Sequence, residues 1–226
     1  MRFIALAITS LFIVACSSSK LTTETEYSGF LDDYSQLQEF KMKNGGIGLV
    51  WMHPELAERG YTKAILEPIV IYPQPRRSSD EARELQRKTL DYIDASIQEA
   101  ASKNMIITST PGPDTVRARF AIAGVDIDAK DLEAYEYVPV ALLFVGAQTA
   151  SGNRAQAVEV FFEAELTDSM TGEVMGRSVR KGFAEELENE SEVLTFEKLI
   201  PQLDLWAQDA ENIARHLKGE DVFGDL

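Results

Sequence analysis

The chain has 226 residues, of which 45% are hydrophobic and 26% are charged, a balance typical of a globular protein with one domain or two small ones. Its 22 Lys and Arg residues against 37 Asp and Glu residues give a formal net charge of -15 at pH 7. This charge opposes non-specific attraction to nucleic-acid phosphates and to anionic lipid headgroups, so we expect neither kind of electrostatic binding.

The first 15 residues have the features of a signal peptide. Arg2 supplies a positive charge, and the run from Phe3 to Ala15 has only Thr9 and Ser10 as polar residues. The run is too short for a transmembrane helix, which needs about 20 apolar residues. We therefore predict a signal peptide at residues 1–15.

Cys16 is the only cysteine in the chain, and it directly follows the tripeptide Ile13-Val14-Ala15. This sequence resembles the lipobox of bacterial lipoproteins, which implies that the Cys16 thiol receives a diacylglycerol and becomes the new N-terminus. Fatty chains such as palmitate hold a protein on a membrane because each buried methylene contributes about 0.8 kcal/mol. Ser17, rather than Asp, follows Cys16, and by the same resemblance this favours the outer membrane and its periplasmic face. The alternative is that Cys16 is only a small apolar residue within a signal or core helix.

The next residues, Ser17 to Glu26, are rich in Ser, Thr and Glu and show no apolar periodicity. They predict a lipidated flexible tether at residues 16–26, and a random coil of about ten residues reaches roughly 18 Å. The chain beyond it has no internal repeat and no second long apolar segment. We predict a single domain at residues 27–218 and a C-terminal tail at residues 219–226.

Aromatic residues are concentrated directly after the predicted tether. They are Tyr27, Phe30, Tyr34 and Phe40, followed by Trp51 and Tyr61 before the first predicted strand. Glycines at positions 29, 45, 46 and 48 interrupt any periodic element in this region. We expect the aromatic segment to pack onto the domain, and a docking patch for a partner is the alternative.

The first predicted strand runs from Lys63 to Tyr72, and Pro68 within it indicates a sheet edge or a bulge. Ser78 and Glu81 then have the spacing of a capping box. Apolar or small residues recur at every third or fourth position from Ala82 to Ala100, which predicts a long helix.

Two further strands are predicted after this helix. Met105 to Thr108 is short, and Val116 to Ile122 alternates apolar residues with arginines before a bulge near Ala123-Gly124. Val138 to Arg154 contains a continuous apolar run, which favours a strand or a loop only slightly over a buried or membrane-facing helical turn.

The clearest strand is Val158 to Leu166, in which apolar residues alternate with glutamates. Asp168 to Gly172 predicts a hairpin turn, and Glu173 to Lys181 returns. Leu199 to Leu217 has helical spacing. This order predicts an α+β domain: a mostly antiparallel, mixed sheet of about five strands with two long helices packed on it.

Candidate catalytic and metal-binding residues are few. His53 and His216 have no second His or Cys at metal-ligand spacing, and Gly45 to Gly48 lacks the strand and helix that flank a phosphate-binding loop. The acidic pair Asp32-Asp33 and the acidic run Glu185 to Glu192 lack the fixed spacing of an EF-hand. We therefore expect no enzymatic activity, no cofactor and no metal.

Charged residues on the predicted strands suggest a cross-strand ladder rather than a binding site. Arg117 and Arg119 are expected to lie opposite acidic residues of the neighbouring strand, or opposite a basic residue of the return strand. These residues are Glu159, Glu163, Glu165 and Arg180.

Several motifs together resemble a known family. They are Ser28 to Leu37 behind the lipobox, Tyr61-Thr62-Lys63 leading into Ile65 to Tyr72, Ala164 to Val174, and Trp206-Ala207. They look like the bacterial lipoprotein family catalogued as domain of unknown function 3313, over nearly all of the mature chain. The family brings no established activity, so it implies no catalytic residue. His53-Pro54 stands where many members have Asp-Pro, so no functional acid is expected there.

These observations predict a lipid-anchored lipoprotein on the periplasmic face of the outer membrane. Its domain is expected to be a non-enzymatic accessory or interaction module, attached to the membrane through Cys16, with an envelope protein as a possible partner and no nucleic acid. The alternative is an envelope enzyme or small-ligand-binding domain with a cleft between the aromatic segment and the sheet. Convergent carboxylates with perturbed pKa values would favour that alternative.

Overall fold

The computed structural model describes residues 21–74, 80–123, 159–185 and 194–224. In these residues the chain forms an eight-stranded mixed sheet and two long helices, so the predicted α+β class is confirmed. The strands are β1 (Gln38–Lys41), β2 (Ile47–Met52), β3 (Lys63–Leu66), β4 (Val70–Tyr72), β5 (Ile106–Ile107), β6 (Thr115–Ala123), β7 (Glu159–Asp168) and β8 (Val174–Phe183), and the helices are α1 (Asp80–Ser102) and α2 (Phe196–His216).

The sheet is antiparallel on one side and parallel on the other. The strand order is β1-β2-β8-β7-β6-β3-β5, and β4 pairs with β6 beyond the end of β3. Strands β1, β2, β8, β7 and β6 pair antiparallel in turn, whereas β3 and β4 pair parallel to β6, and β5 pairs parallel to β3. The long connection through α1 lets the chain return to the sheet in the same direction.

The predicted strand from Lys63 to Tyr72 is divided at Pro68. β3 ends at Leu66 and β4 begins at Val70, and both pair with β6. Proline has no N–H to donate to a neighbouring strand, so the interruption at Pro68 agrees with the predicted edge or bulge.

The prediction of about five strands is wrong, because the structure has eight. The predicted strand from Lys63 to Tyr72 forms both β3 and β4, and β1 and β2 lie where the glycines predict no periodic element. Their glycines serve other purposes than breaking a strand. Gly45 has a φ of +89° in the turn between the two strands, in the region that favours glycine. A Cβ at Gly48 would lie 2.4 Å from Cδ of Arg180, so the absence of a side chain lets Arg180 cross β2.

The main core lies between the helices and one face of the sheet. Alternation in β7 places Val160 and Phe162 toward the helices, as the sequence predicts. The Phe162 ring stacks on Trp206 of α2 with 4.9 Å between centroids. Other buried members are Ile69, Ile93, Ile97, Phe120, Ile122, Leu199 and Leu203. Fully burying each such side chain contributes about 1.5–3 kcal/mol, so this layer dominates the stability of the domain.

The C-terminal tail predicted at residues 219–226 is described as far as Gly224. Phe223 forms an antiparallel bridge with Met42, and the Gly224 N–H donates to the Lys41 carbonyl oxygen at 2.9 Å. The tail therefore covers one end of the edge strand β1, which protects part of that edge from pairing with another chain.

Some predictions concern residues outside the described ranges. They are the signal peptide at residues 1–15, Cys16, Ser78 of the capping box, the bulge at Gly124, the segment Val138 to Arg154, and the acidic run after Glu185.

Candidate functional site

The face of the sheet opposite the helices is covered by the N-terminal arm, residues 21–37. Phe30 and Leu31 of the arm are buried against Ala121 of β6 and Val179 of β8. The predicted packing of the aromatic segment onto the domain is thus confirmed for the arm.

Glu163 of β7 holds the N-terminal arm in place. It is 0% exposed, and among the described residues its two carboxylate oxygens accept hydrogen bonds from the arm alone. The Ser28 N–H donates to Oε1 at 3.0 Å, and the Tyr34 hydroxyl donates to Oε2 at 2.6 Å. Burial, with this hydrogen bond and the charge of Glu163, raises the pKa of Tyr34 to about 12. The buried carboxylate therefore depends on a docked arm.

The predicted cross-strand ladder is found on this same face. Nε of Arg119 lies 2.8 Å from Oε1 of Glu165, and Nε of Arg177 lies 2.9 Å from Oε2 of the same carboxylate. Arg117 does not join the ladder, because it pairs with Glu67 instead. Glu165 is thus held by two guanidinium groups, which offsets the cost of burying it.

The packed part of the chain begins before the predicted domain boundary at residue 27. Thr22 is 6% exposed, and Glu26 accepts a hydrogen bond from Nζ of Lys181 at 2.9 Å. The same ammonium group lies 2.7 Å from Glu159. The segment predicted as tether, residues 16–26, therefore already contacts the sheet at its C-terminal end.

The remaining predicted aromatic residues have separate positions. Phe40 lies in β1 and Trp51 in β2. Tyr61 is buried, and its hydroxyl donates to Oδ2 of Asp168 at 2.8 Å. Burial and this hydrogen bond raise the pKa of Tyr61. These residues do not form one patch with the arm.

A cavity of about 110 Å³ lies between the helices and the sheet. Its walls come from both helices and six strands and are almost entirely apolar; they include Ile97, Met105, Val116, Phe162, Ile213 and Leu217. Three residues of central strands on its floor, Ala164, Leu166 and Ser178, remain only half-buried. The cavity is partly open at the protein surface.

One end of the cavity contains a buried ion pair. Nη2 of Arg180 lies 2.8 Å from Oδ2 of Asp209, and the two side chains are 9% and 12% exposed. The guanidinium carbon lies 5.0 Å from the centre of the Phe40 ring. Gly46 and Gly48 leave room for the pair, because a Cβ on Gly46 would lie 2.7 Å from Nη2 of Arg180.

Burial and mutual attraction act in opposite directions on this pair. Burial lowers the pKa of Arg180, although the charge of Asp209 counteracts it. Burial likewise raises the pKa of Asp209 against the attraction of Arg180 and the hydrogen bond from Asn44. The pair stays charged only because each partner compensates the other.

Some polar side-chain atoms beside the cavity have no hydrogen-bond partner in the described part of the protein. Nε of Arg180 and Nε1 of Trp206 are buried without a hydrogen-bond partner among the described residues. A buried donor or acceptor left in this state costs about 1–3 kcal/mol. Native proteins contain few such groups, and they are frequent at functional sites.

The prediction that placed Arg180 among the ladder residues is wrong. In β8 it lies directly opposite Phe162, on the face that carries the helices. Alternation along the strand turns its neighbours Val179 and Lys181 to the arm face instead. Asp209 and Trp206 were not predicted as site residues, although a carboxylate three residues after a buried Trp on an amphipathic helix is a recognisable signal.

The histidines and acidic residues have local partners. Nδ1 of His53 accepts a hydrogen bond from the Glu55 N–H at 3.2 Å, and Nδ1 of His216 lies 3.1 Å from the Glu220 carbonyl oxygen. Asp33 accepts a hydrogen bond from the Ser35 N–H and lies 3.5 Å from Arg177. In the described part of the chain, no group of three or more His, Cys, Asp or Glu residues could hold a metal ion.

The fold and the cavity define a compact α+β domain whose N-terminal arm is docked on its sheet. Within the four described ranges, no helix combines the length and apolar character that crossing a membrane requires. The family described as "Protein of unknown function (DUF3313)" matches residues 26–210. The chain therefore belongs to this family, which confirms the resemblance found in the sequence.

Two curated relatives agree with this assignment. The chain is 35% identical over 204 residues to the uncharacterized lipoprotein YdcL of Escherichia coli K12, which covers 90% of this chain and 92% of the relative. The YdcL lipoprotein of Escherichia coli O157:H7 gives the same values. These relatives support the lipoprotein nature of the chain.

Solved structures show only distant likeness. A PelC dodecamer from Paraburkholderia phytofirmans aligns with a TM-score of 0.32 and 11% identity, over 76% of this chain and 96% of that chain. A Xanthomonas campestris protein of the DUF330 family gives a TM-score of 0.34 and 10% identity, over 72% and 89% of the two chains. Similarity at this level carries no functional information.

Proposed function

We propose that this protein is a lipid-anchored lipoprotein of the bacterial envelope, attached through Cys16 to the outer membrane and facing the periplasm. Its domain acts there as a non-enzymatic accessory or interaction module. The observation that carries the proposal is the 35% identity to a lipoprotein over 90% of the chain. The position of Cys16 at the end of a lipobox-like tripeptide, with Ser17 after it, supports both the anchor and the outer membrane.

The geometry of the N-terminal arm supports action close to the membrane. Thr22 is already buried, only six residues after Cys16, and Glu26 binds Lys181 of the sheet. Even a fully extended chain spans at most about 3.6 Å per residue, so this link reaches roughly 20 Å. The arm-covered face is therefore held near the lipid headgroups, and the domain presents its other surfaces to the periplasm.

The buried charges of the arm-covered face support a structural rather than a catalytic role for them. Glu163 binds the arm, Glu165 is paired with two arginines, and Lys181 is paired with two glutamates. A catalytic acid or base needs access to substrate, and Glu163 has none. These carboxylates are accounted for by packing of the arm.

Substitution of the lipidated residue tests the anchor. Cys16→Ala in the full chain is expected to move the protein from the membrane fraction to the soluble periplasmic fraction, because the acyl chains supply the membrane affinity. Cell fractionation with immunodetection measures this, and mass spectrometry of the wild-type N-terminus detects the lipid directly. A Cys16→Ala protein that stays in the membrane fraction would contradict the proposal.

A second variant tests the choice of membrane. Ser17→Asp keeps the lipid but changes the sorting residue, so the protein is expected to move from the outer to the inner membrane on a density gradient. Ser19→Ala, also near Cys16, is the matched control and is expected to stay in the outer membrane. Recovery of the wild-type protein in the inner-membrane fraction would overturn the outer-membrane assignment while leaving the anchor intact.

A further inference from the structure

The cavity between the helices and the sheet has the shape of a binding site for a small molecule. The cavity exists because small residues line it where larger ones would fill the space. These residues are Ala64, Ala118, Ala164, Gly176, Ala210 and Ala214. Solvent reaches its floor at Ala164 and Ser178, although both lie in central strands. The half-buried Val50 and Met52 of β2 and Ile213 of α2 line it toward the edge of the helix layer. A ligand can therefore enter without unfolding the domain.

The size and lining of the cavity define an apolar ligand. A dry cavity of about 150 Å³ lined by Leu, Ile and Phe binds benzene. The cavity here has a volume of about 110 Å³, so it is suited to a molecule whose apolar part has about five carbon atoms. Its walls offer dispersion contacts and almost no hydrogen bonds, so the ligand body must itself be apolar.

Ser178 supplies the polar contact. It faces the helix side of the sheet, beside Ala164 in β7 and Val50 in β2, and both of these neighbours line the same cavity. Its hydroxyl has no hydrogen bond to another described residue and remains half-exposed. By contrast, Nε of Arg180 packs against Gly48, where a Cβ would lie only 3.0 Å away. Because Trp206 is buried and Ser178 is partly exposed, the Ser178 hydroxyl is the more accessible hydrogen-bonding group among these described residues.

The ion pair determines the charge of the ligand. Arg180 and Asp209 already neutralise each other at the end of the cavity. A ligand carboxylate would add an uncompensated negative charge beside Asp209 in an apolar environment, and burying such a charge is strongly unfavourable. An ammonium group would meet the same difficulty beside Arg180. The cavity therefore selects for uncharged molecules.

We propose that this cavity binds a small, uncharged, apolar molecule carrying one carbonyl or hydroxyl oxygen, which forms a hydrogen bond with the Ser178 hydroxyl. This ligand site goes beyond the accessory role proposed above and does not depend on the anchor. The Trp206 ring lines the cavity and reports on its occupancy.

Three matched probes test the site: cyclopentanone, cyclopentane and cyclopentanecarboxylate. Binding is followed in the full chain by tryptophan fluorescence, because both tryptophans of the sequence, Trp51 and Trp206, line the cavity. Cyclopentanone is expected to bind more tightly than cyclopentane, and the carboxylate at least tenfold more weakly than the ketone. Equal binding of the carboxylate and the ketone would overturn the charge argument, and no response to any probe up to its solubility limit would overturn the site.

Two variants locate the ligand. Ser178→Ala is expected to weaken cyclopentanone binding about fivefold, which corresponds to one hydrogen bond, and to change cyclopentane binding less than twofold. Ala210→Leu is expected to fill the cavity and abolish binding of both, while thermal unfolding shows that the domain remains folded. If Ala210→Leu unfolds the domain, Ala164→Val provides the same steric test. Unchanged binding in the filled, folded variant, or an equal loss of both probes in Ser178→Ala, would refute the proposed position.

Discussion

The two faces of the sheet treat buried charge differently. On the face covered by the N-terminal arm, Glu165 lies between two arginines, and Glu163 accepts two hydrogen bonds from the arm. On the face covered by the helices, Arg180 and Asp209 form a single pair, and Nε of Arg180 is buried without a hydrogen-bond partner among the described residues.

This difference separates a structural network from a candidate ligand site. Polar groups that satisfy one another fix a unique packing and leave nothing for a ligand to bind. An isolated ion pair beside an apolar cavity contributes little stability, because desolvation of the charges offsets their attraction. The arm-covered face therefore positions the domain on its proposed anchor. The helix-covered face carries the candidate ligand site.

The largest expected effect comes from removing one member of the buried pair. Arg180→Met leaves Asp209 charged and unpaired, and this is expected to lower the free energy of unfolding by about 3–5 kcal/mol. The double variant Arg180→Met with Asp209→Leu removes both charges and is expected to lie within about 1 kcal/mol of the wild type or to be more stable. Urea denaturation measures both.

The double variant is the informative control for this comparison. If it is as unstable as Arg180→Met alone, the pair contributes packing that apolar residues cannot replace. The helix-covered face would then resemble the arm-covered face, and the contrast between them would fail.

A smaller effect is expected when the N-terminal arm loses its hydrogen bond to the sheet. Tyr34→Phe removes the donor to Oε2 of Glu163 and leaves that carboxylate oxygen buried, at an expected cost of about 1–3 kcal/mol. Tyr27→Phe is the matched control, because Tyr27 stacks on Tyr34 at 4.2 Å and its ring is retained. The control is expected to change stability by less than about 0.5 kcal/mol. Equal effects of the two variants would contradict the role assigned to the Tyr34 hydroxyl, because both variants keep the stacked rings.

The same hydrogen bond predicts a pH dependence at high pH. The pKa of Tyr34 rises from 10.0 to about 12 in the folded protein. A folded-state pKa raised in this way gives a stabilising contribution that is complete below pH 10 and is lost as the pH rises through about 12. The stability difference between the wild type and Tyr34→Phe is therefore expected to shrink across this range in urea titrations. A constant difference would contradict the assigned bond.

The sequence predicts the parts of the fold that follow from regular alternation. In β7, Val160 and Phe162 alternate with Glu163 and Glu165, so the two faces of this strand are evident before the structure is known. The position of Arg180 could not be predicted in this way. Gly176 and Ser178 lie on the same, helix-facing side of β8 as Arg180, and neither is a large apolar residue. The alternation that would identify this side from the sequence is therefore absent.

Strands β1 and β2 and the cavity could not be predicted for the same reason: they depend on contacts between residues far apart in the chain. Gly48 suggests a break when read locally, but its role is set by Arg180, which follows more than a hundred residues later in the chain. The cavity likewise depends on residues from two helices and six strands. Spacing along the chain carries no information about such long-range approaches, whereas the docking of the arm could be anticipated from its concentrated aromatic residues.

The smallest expected effects on stability come from two ion pairs, one formed with the buried Glu165 and the other exposed to solvent. Arg119→Gln leaves the 5% exposed carboxylate of Glu165 with Arg177 as its one remaining ion-pair partner in the described part of the chain. It is expected to cost about 1 kcal/mol, since a charge-assisted hydrogen bond is lost at a site with little water. Arg117→Gln breaks an ion pair whose side chains are 37% and 41% exposed. It is expected to cost less than about 0.5 kcal/mol, because water and salt already screen that pair.

Salt dependence separates the two variants further. Raising the ionic strength weakens exposed pairs, so the small effect of Arg117→Gln is expected to vanish in molar salt. The effect of Arg119→Gln is expected to persist, because the Glu165 carboxylate is shielded from ions by the sheet and the arm. If both effects disappear equally in salt, solvent reaches Glu165, and the arm is then a loosely held cover whose charges resemble those of any exposed surface.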